Sequence, residues 1–230
     1  MSPSRKINEK IHDFDDTEKV VESTKYIKEQ MKKIVLDEIN KKGGKLKVLD
    51  SGCGTGEDII AIKRQAKTID AYGEDIHIIK KSIKFRGCSF RKSNIERDFN
   101  GLYDIIISSE VIHCLLGKNV NMYLKNLGEM LKPDGLLVLT TFNREYLWKT
   151  LYRIVMKGES QYHSTHVIFT PDELKDLLEQ NGFKVERIIG GRFLHGDHFF
   201  NRLDFLPKTM TNIRHNFLIA ARKVKIKQPN

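Results

Sequence analysis

Lys47-Val48-Leu49-Asp50-Ser51-Gly52-Cys53-Gly54-Thr55-Gly56-Glu57-Asp58 is the stretch whose reading decides the fold. The aliphatic pair Val48 and Leu49 runs into an acid, three glycines then alternate with other residues, and a helix-forming segment opens at Glu57. Glycines at 52, 54 and 56 let the main chain turn sharply and present bare backbone to a ligand. The helix that follows, over 57–65, aims its free N–H groups at the same point. The stretch reads as a strand–turn–helix corner for a nucleotide-bearing ligand.

Two common nucleotide corners are excluded. The dinucleotide fingerprint G-x-G-x-x-G fails at its third glycine, because Glu57 follows Gly54-Thr55-Gly56. A phosphate-binding P-loop fails because no Gly-Lys-Ser/Thr follows the turn. The remaining pattern, D-x-G-x-G-x-G at Asp50, Gly52, Gly54 and Gly56, resembles the first motif of the class I S-adenosylmethionine (SAM) methyltransferases. The resemblance implies that these four residues bind SAM, with bare main chain packed on its methionine part.

Outward from that corner the chain alternates strands and helices, which predicts a parallel, doubly wound sheet. A helix is expected over 17–40, where Val20, Ile27, Met31, Ile34 and Val35 recur on a helical period and Gly43-Gly44 ends the run. A second strand is expected over 68–73, running into Glu74-Asp75. Asp75 stands about 20 residues beyond the glycine turn, the separation at which a carboxylate meets a ribose diol. A basic helix over 77–84 and a short strand near 88–91 follow. Ser93-Asn94-Ile95-Glu96 takes the place where the resembled family carries an acid and an apolar residue at the adenine; Asn94 keeps an acceptor oxygen and Ile95 a backbone donor. Leu102-Tyr103-Asp104-Ile105-Ile106-Ile107-Ser108-Ser109 resembles the family's fourth strand, and puts Ser109 and Glu110 at the carboxyl end where open α/β sheets bind ligands.

A helix over 120–131, a Lys132-Pro133-Asp134-Gly135 turn and a fifth strand over 136–141 continue the pattern. Thr170-Pro171-Asp172-Glu173 carries an N-cap, a proline at N1 and a glutamate at N3, and that helix stops at Asn181-Gly182. Strands over 183–189 and 216–221 close the sheet. The resemblance implies a Rossmann-like α/β fold: seven strands, mostly parallel with an antiparallel last strand, and helices on both faces. The expected organisation is a flexible arm (1–16), one methyltransferase domain (17–224) and a basic tail (225–230). Within the domain, 143–166 and 192–211 are expected as substrate-side insertions, and the first helix (17–41) as a cover.

After the fifth strand the likeness narrows to the ubiquinone-biosynthesis O-methyltransferases. Thr141-Phe142-Asn143-Arg144 resembles their T-x-N-R, and His163 precedes Phe169-Thr170-Pro171-Asp172-Glu173-Leu174 as their Thr-His-x-Trp segment does. Asn181-Gly182-Phe183 with Gly190 also fits. That family follows its fourth strand with E-x-x-E-H, used for a divalent cation. Here Glu110 is kept, but His113 and Cys114 replace the second acid and the histidine, and Thr165 replaces the tryptophan. No metal is therefore expected, and the acceptor is expected to be another small hydroxylated molecule. Methyl transfer to a hydroxyl needs alignment and a proton acceptor. His113, just beyond the fourth strand, is the first choice for that base, and His163, with His166 near it, the second. His195-Gly196-Asp197-His198 has residue types that could bind a metal, but in a tight loop it is read as solvated polar residues.

At 230 residues and 40% hydrophobic composition the chain can bury a core, and no apolar run approaches the ~18 residues that span a bilayer. Residues 1–16, with three aspartates, read as neither a secretory signal nor a transit peptide. Cys53, Cys88 and Cys114 are scattered and odd in number, which suits a reducing, cytoplasmic setting. The net charge of +10 collects at Lys80, Lys81, Lys84, Arg86, Arg91 and Lys92 and again in the tail. Neither cluster interleaves aromatics in the manner of a stacking platform for bases, so the charge is read as compositional. An RNA methyltransferase, contact with an anionic membrane surface, and a non-catalytic SAM-fold binding partner are the alternatives.

Overall fold

The computed structural model describes residues 18–77, 85, 87–94, 101–115, 117–144, 169–191 and 216–224. In order these form α1 (Glu18–Lys42), β1 (Lys47–Ser51), α2 (Glu57–Gln65), β2 (Asp70–Asp75), β3 (Cys88–Lys92) and β4 (Tyr103–Ser109). A 3-10 turn (Ile112–Cys114), α3 (Gly117–Met130), β5 (Leu131–Phe142), α4 (Pro171–Gln180), β6 (Phe183–Gly190) and β7 (Asn216–Lys223) follow.

The seven strands make one sheet in the order β3-β2-β1-β4-β5-β7-β6. β7 runs antiparallel to both β5 and β6, and the pairings among β1 to β5 are parallel, as the resemblance implied. Strand order reverses between β1 and β4, and the crevice outside their carboxyl ends is the topological switch point.

Alternation along the strands divides the core into two layers. Leu49, Ile106, Leu137 and Ile219 face α3 and α4 with Tyr123, Leu127 and Leu174. Val48, Ile105, Ile107 and Val138 face α1 and α2 with Met31, Val35, Ile59 and Ile62. Each such side chain, taken fully out of water, contributes roughly 1.5–3 kcal/mol. The helical period expected in α1 is the stripe it buries: Ile27, Met31 and Val35 are fully covered.

Three expectations shift. β2 extends through Glu74 and Asp75, because parallel pairing with β1 and β3 reaches that far. β5 begins at Leu131, five residues before the expected start, since Leu131 pairs with Tyr103 before the register shifts. The Lys132-Pro133-Asp134-Gly135 turn is thus an irregularity inside the strand, with Asp134 at φ 63°. α3 likewise starts earlier, at Gly117. The Thr170 cap is as expected: its hydroxyl accepts from Glu173 N at 3.2 Å, and the Glu173 carboxylate accepts from Thr170 N at 2.9 Å. The 77–84 helix past His77, the bulk of both insertions, the arm and the tail lie outside the described residues, as do Ile95, His163, His166 and His195–His198.

Candidate active site

The glycine corner hangs from the last residues of β2. Gly52 N and Cys53 N both donate to the Glu74 carbonyl, at 2.8 and 3.0 Å, and Gly56 N donates to Cys53 O at 2.7 Å. Gly52 has φ 79°, and a Cβ there would lie 2.3 Å from Val111 Cγ2, so the turn is pressed against the segment after β4. Gly54 has φ 49°, and a Cβ there would enter open space. One glycine is needed for packing, the other for the vacant side of the turn.

Asp75 grips this corner directly. Its Oδ2 accepts from Gly54 N at 2.9 Å and its Oδ1 from His77 N at 2.8 Å. A carboxylate offers about four acceptor positions, so two remain for a diol. Ile76, the next residue, is 43% exposed and sets an apolar side chain at the rim. Asn94 is half-buried just past β3, where Ser93 N donates to Asp75 O at 2.9 Å, so Asn94 and Asp75 share one edge of the crevice. These residues fit a ribose-bearing, adenine-bearing ligand laid across open glycine backbone.

Asp50 sits beneath the turn, 2% exposed. Burial, with Asp58 nearby, pushes its carboxyl well above the usual range, against the Ile59 N–H that hydrogen-bonds it at the start of α2. Asp58, in the first turn of α2, pairs with Lys28 and Lys32 of α1, both at 3.2 Å. This pins the N-terminal helix to the helix that starts at the glycines. Glu74 is wholly buried, held by Ser51 and by two Arg91 nitrogens. Burial lifts its carboxyl while Arg91 opposes the rise. Tyr123 OH, between Ser108 at 2.7 Å and Ser51 at 3.4 Å, continues this polar line under the corner.

Across the switch point a second polar group closes the crevice. Glu110 follows β4 at φ 60°, a left-handed conformation rare for a residue with a side chain. Its N–H lies 3.1 Å from Thr140 O and 3.2 Å from Thr140 Oγ1, and the Thr140 hydroxyl donates to Glu110 Oε1 at 3.2 Å. Ser109 Oγ also meets Thr140 Oγ1, at 3.1 Å. Glu110 Oε2 is enclosed with no hydrogen-bond partner among the described residues. His113 is buried against Phe142, its Nδ1 3.4 Å from Thr141 Oγ1 and 3.9 Å from Glu110 Oε2. Burial pushes the Glu110 carboxyl up to about 7, against the opposing pull of Lys28 and the Thr140 hydrogen bond. Cys114 feels both Glu110 and Asp75, and burial lifts its thiol to about 11.

The glycines, Asp75, Asn94, Ser109 and His113 therefore gather at one end of the sheet. Lys28, Thr140 and the backbone of Glu110 are the contributions that sequence reasoning missed. Thr140-Thr141 at the end of an apolar strand was the only signal available for the threonines. Among the described residues, no three His, Cys, Asp or Glu side chains converge to hold a metal ion.

A family model described as a methyltransferase domain matches residues 23–188. The chain belongs to the methyltransferase-domain family. Its cofactor by that membership is S-adenosylmethionine, which suits the glycine corner and Asp75. The bovine mitochondrial ubiquinone biosynthesis O-methyltransferase is 28% identical over an alignment of 166 positions that covers 63% of this chain and 43% of the relative. The match thus spans less than half the length of that relative. Two solved structures share the fold. Magnesium protoporphyrin IX methyltransferase from Synechocystis PCC 6803, with bound S-adenosylhomocysteine, has a TM-score of 0.61 at 17% identity, covering 84% of this chain and 82% of that one. The Burkholderia thailandensis 1,6-didemethyltoxoflavin-N1-methyltransferase, with bound 1,6-didemethyltoxoflavin and S-adenosylhomocysteine, has a TM-score of 0.62 at 16% identity, covering 98% of this chain and 92% of that one. No helix among the described residues is long and apolar enough to cross a membrane.

Proposed function

We propose that this methyltransferase transfers the methyl group of SAM to a hydroxyl oxygen of a small molecule. One observation carries the reading: an open glycine corner gripped by Asp75 faces, across the switch point, a buried acid–histidine–threonine group able to handle a proton. The relative that methylates oxygen supports the atom, while the fold alone also serves an N1-methyltransferase.

Gly52, Gly54 and Gly56 would hold the methionine part, Asp75 the ribose, Asn94 and Ile95 the adenine, and Ser109 the lip of β4, with Asp50 bracing the turn from below. When bound, SAM supplies an electrophilic methyl carbon on a sulfonium. The protein's share is to align the acceptor oxygen with that carbon, keep water away, and accept the hydroxyl proton. His113 lies within the group that does the last, and His163 is the second histidine assigned to it. The domain over 17–224 would carry the transfer, and 143–166 and 192–211, nearly all outside the described residues, are the segments assigned to the acceptor side.

The test is calorimetric titration with SAM and S-adenosylhomocysteine, beside Asp75→Ala, followed by radiolabelled methyl transfer to phenols, catechols and RNA. Micromolar binding lost in the variant, with label on a catechol or phenol, is the expected result. Label on RNA would overturn the small-molecule reading, and binding without any transfer would favour a binding role.

A further inference from the structure

We propose that Glu110, rather than His113, is the group that takes the proton from the acceptor hydroxyl, through its enclosed Oε2. This deepens the O-methyltransfer reading and rests on it.

Three geometric facts point there. First, the two carboxylate oxygens are treated differently: Oε1 accepts from Thr140 at 3.2 Å, whereas Oε2 is buried without a hydrogen-bond partner among the described residues. An orphaned buried acceptor is costly, and native proteins rarely carry one without a use. Second, Glu110 is held at φ 60° by two contacts from its own N–H to Thr140. Strain of this kind, over-determined by its surroundings, is typical of functional positions. Third, Glu110 keeps 18% of its side-chain exposure, while the His113 side chain keeps 8% and lies against the Phe142 ring with Nδ1 toward Thr141. That exposure lies on atoms other than Oε2, and the imidazole is the more enclosed side chain of the two.

The groups facing Glu110 suit a proton that must come and go. Lys28 from α1 favours the carboxylate, Asp58 at the start of α2 favours the acid, and burial outweighs both. His113 and Cys114 stand on the 3-10 side. As the acceptor's O–H bond breaks and its oxygen–methyl bond forms, the electron pair of the methyl–sulfur bond stays on sulfur and the proton passes to Oε2. The neutral acid then returns that proton to solvent after product leaves. His113, whose Nδ1 lies 3.9 Å from Oε2, is assigned as a positioning residue beside this carboxylate.

The experiment uses the full chain saturated with S-adenosylhomocysteine and labelled with glutamate carrying 13C at its carboxyl carbon. Glu110→Gln, or Glu110→Asp if the glutamine variant does not fold, assigns the signal, and its titration is read on the unsubstituted protein. A midpoint within about one unit of neutrality is expected; one in the ordinary carboxylate range near 4 overturns the proposal whether or not any acceptor is methylated. In parallel, kcat and KM are measured against pH with catechol and 3,4-dihydroxybenzoate. Glu110→Gln should lower kcat about 100-fold and remove the acid limb, with KM and S-adenosylhomocysteine affinity within threefold of the parent. His113→Asn should lower kcat yet keep that limb. A limb lost in His113→Asn and kept in Glu110→Gln would make His113 the proton acceptor. An equal loss of S-adenosylhomocysteine affinity and turnover in Glu110→Gln would make Glu110 a ligand-binding residue instead.

Discussion

Replacing Glu110 with glutamine should make the ligand-free protein more stable, and increasingly so as pH rises. The glutamate carboxyl moves from about 4.5 to about 7 on folding, because burial disfavours its charge more than Lys28 and Thr140 restore it. Between those values the native state holds a proton that the unfolded chain has released. Stability therefore falls as pH rises through the window, and the cost is fully present above about 7. A shift of this size corresponds to roughly 3 kcal/mol. Glutamine is close in shape, keeps the same strained φ and does not titrate, so the wild-type penalty has no counterpart in the variant. Other buried acids, Asp50 and Glu74 among them, titrate in both proteins and cancel in the difference. Urea unfolding at several pH values between 4.5 and 8 measures this directly. The variant-minus-parent difference should climb by about 3 kcal/mol across that range and then level off. A difference that stays flat to within about 0.5 kcal/mol would refute the reasoning, since it would mean that folding leaves Glu110 near its ordinary acidity.

The other predictions are independent of Glu110. Gly52→Ala should cost about 2–3 kcal/mol by thermal or urea unfolding, because its Cβ meets Val111 at 2.3 Å on a backbone of φ 79°. Gly54→Ala should cost only about 1 kcal/mol, yet weaken SAM binding at least tenfold in calorimetry, because its Cβ enters the open side of the turn. Arg222→Ala should cost about 3 kcal/mol, since it leaves Glu38, 6% exposed, without the two 2.8 Å guanidinium contacts that depress its carboxyl. Glu38→Gln with Arg222→Met should recover most of that loss in the same unfolding assay. Thr170→Ala should cost about 1 kcal/mol by removing the hydroxyl that accepts from Glu173 N.

Much of the framework was legible because its signals are local. The glycine turn, the capping box at Thr170 and the buried run at Ile105–Ile107 each depend on residues a few positions apart, and each maps to the element expected. Asp75 was legible at longer range because a strand–turn–helix–strand unit fixes its spacing, and its bond to Gly54 is the consequence. The start of β5 was missed because Pro133 and Gly135 favour a turn locally, while pairing of Leu131 with Tyr103, a distant partner, keeps the segment in the ladder. Lys28 looked like one charge among many on a polar helix face. Its pairing with Asp58 exists only because α1 packs on α2.

The sequence by itself determined that there is a glycine corner, an acid at the end of the second strand, and an alternation of strands and helices. These follow from backbone sterics and periodicity, which act over short separations. Only the tertiary structure decided which polar groups share the crevice and in what state. Strand order brings β4 beside β5 and so sets Thr140 against Glu110; helix packing brings Lys28 over Asp58; and burial, a property of the whole fold, lifts the Glu110 carboxyl to about 7. A side chain's acidity depends on what surrounds it in space, and in this chain those surroundings come from α1, α2 and β5, each distant in sequence from the residue they govern.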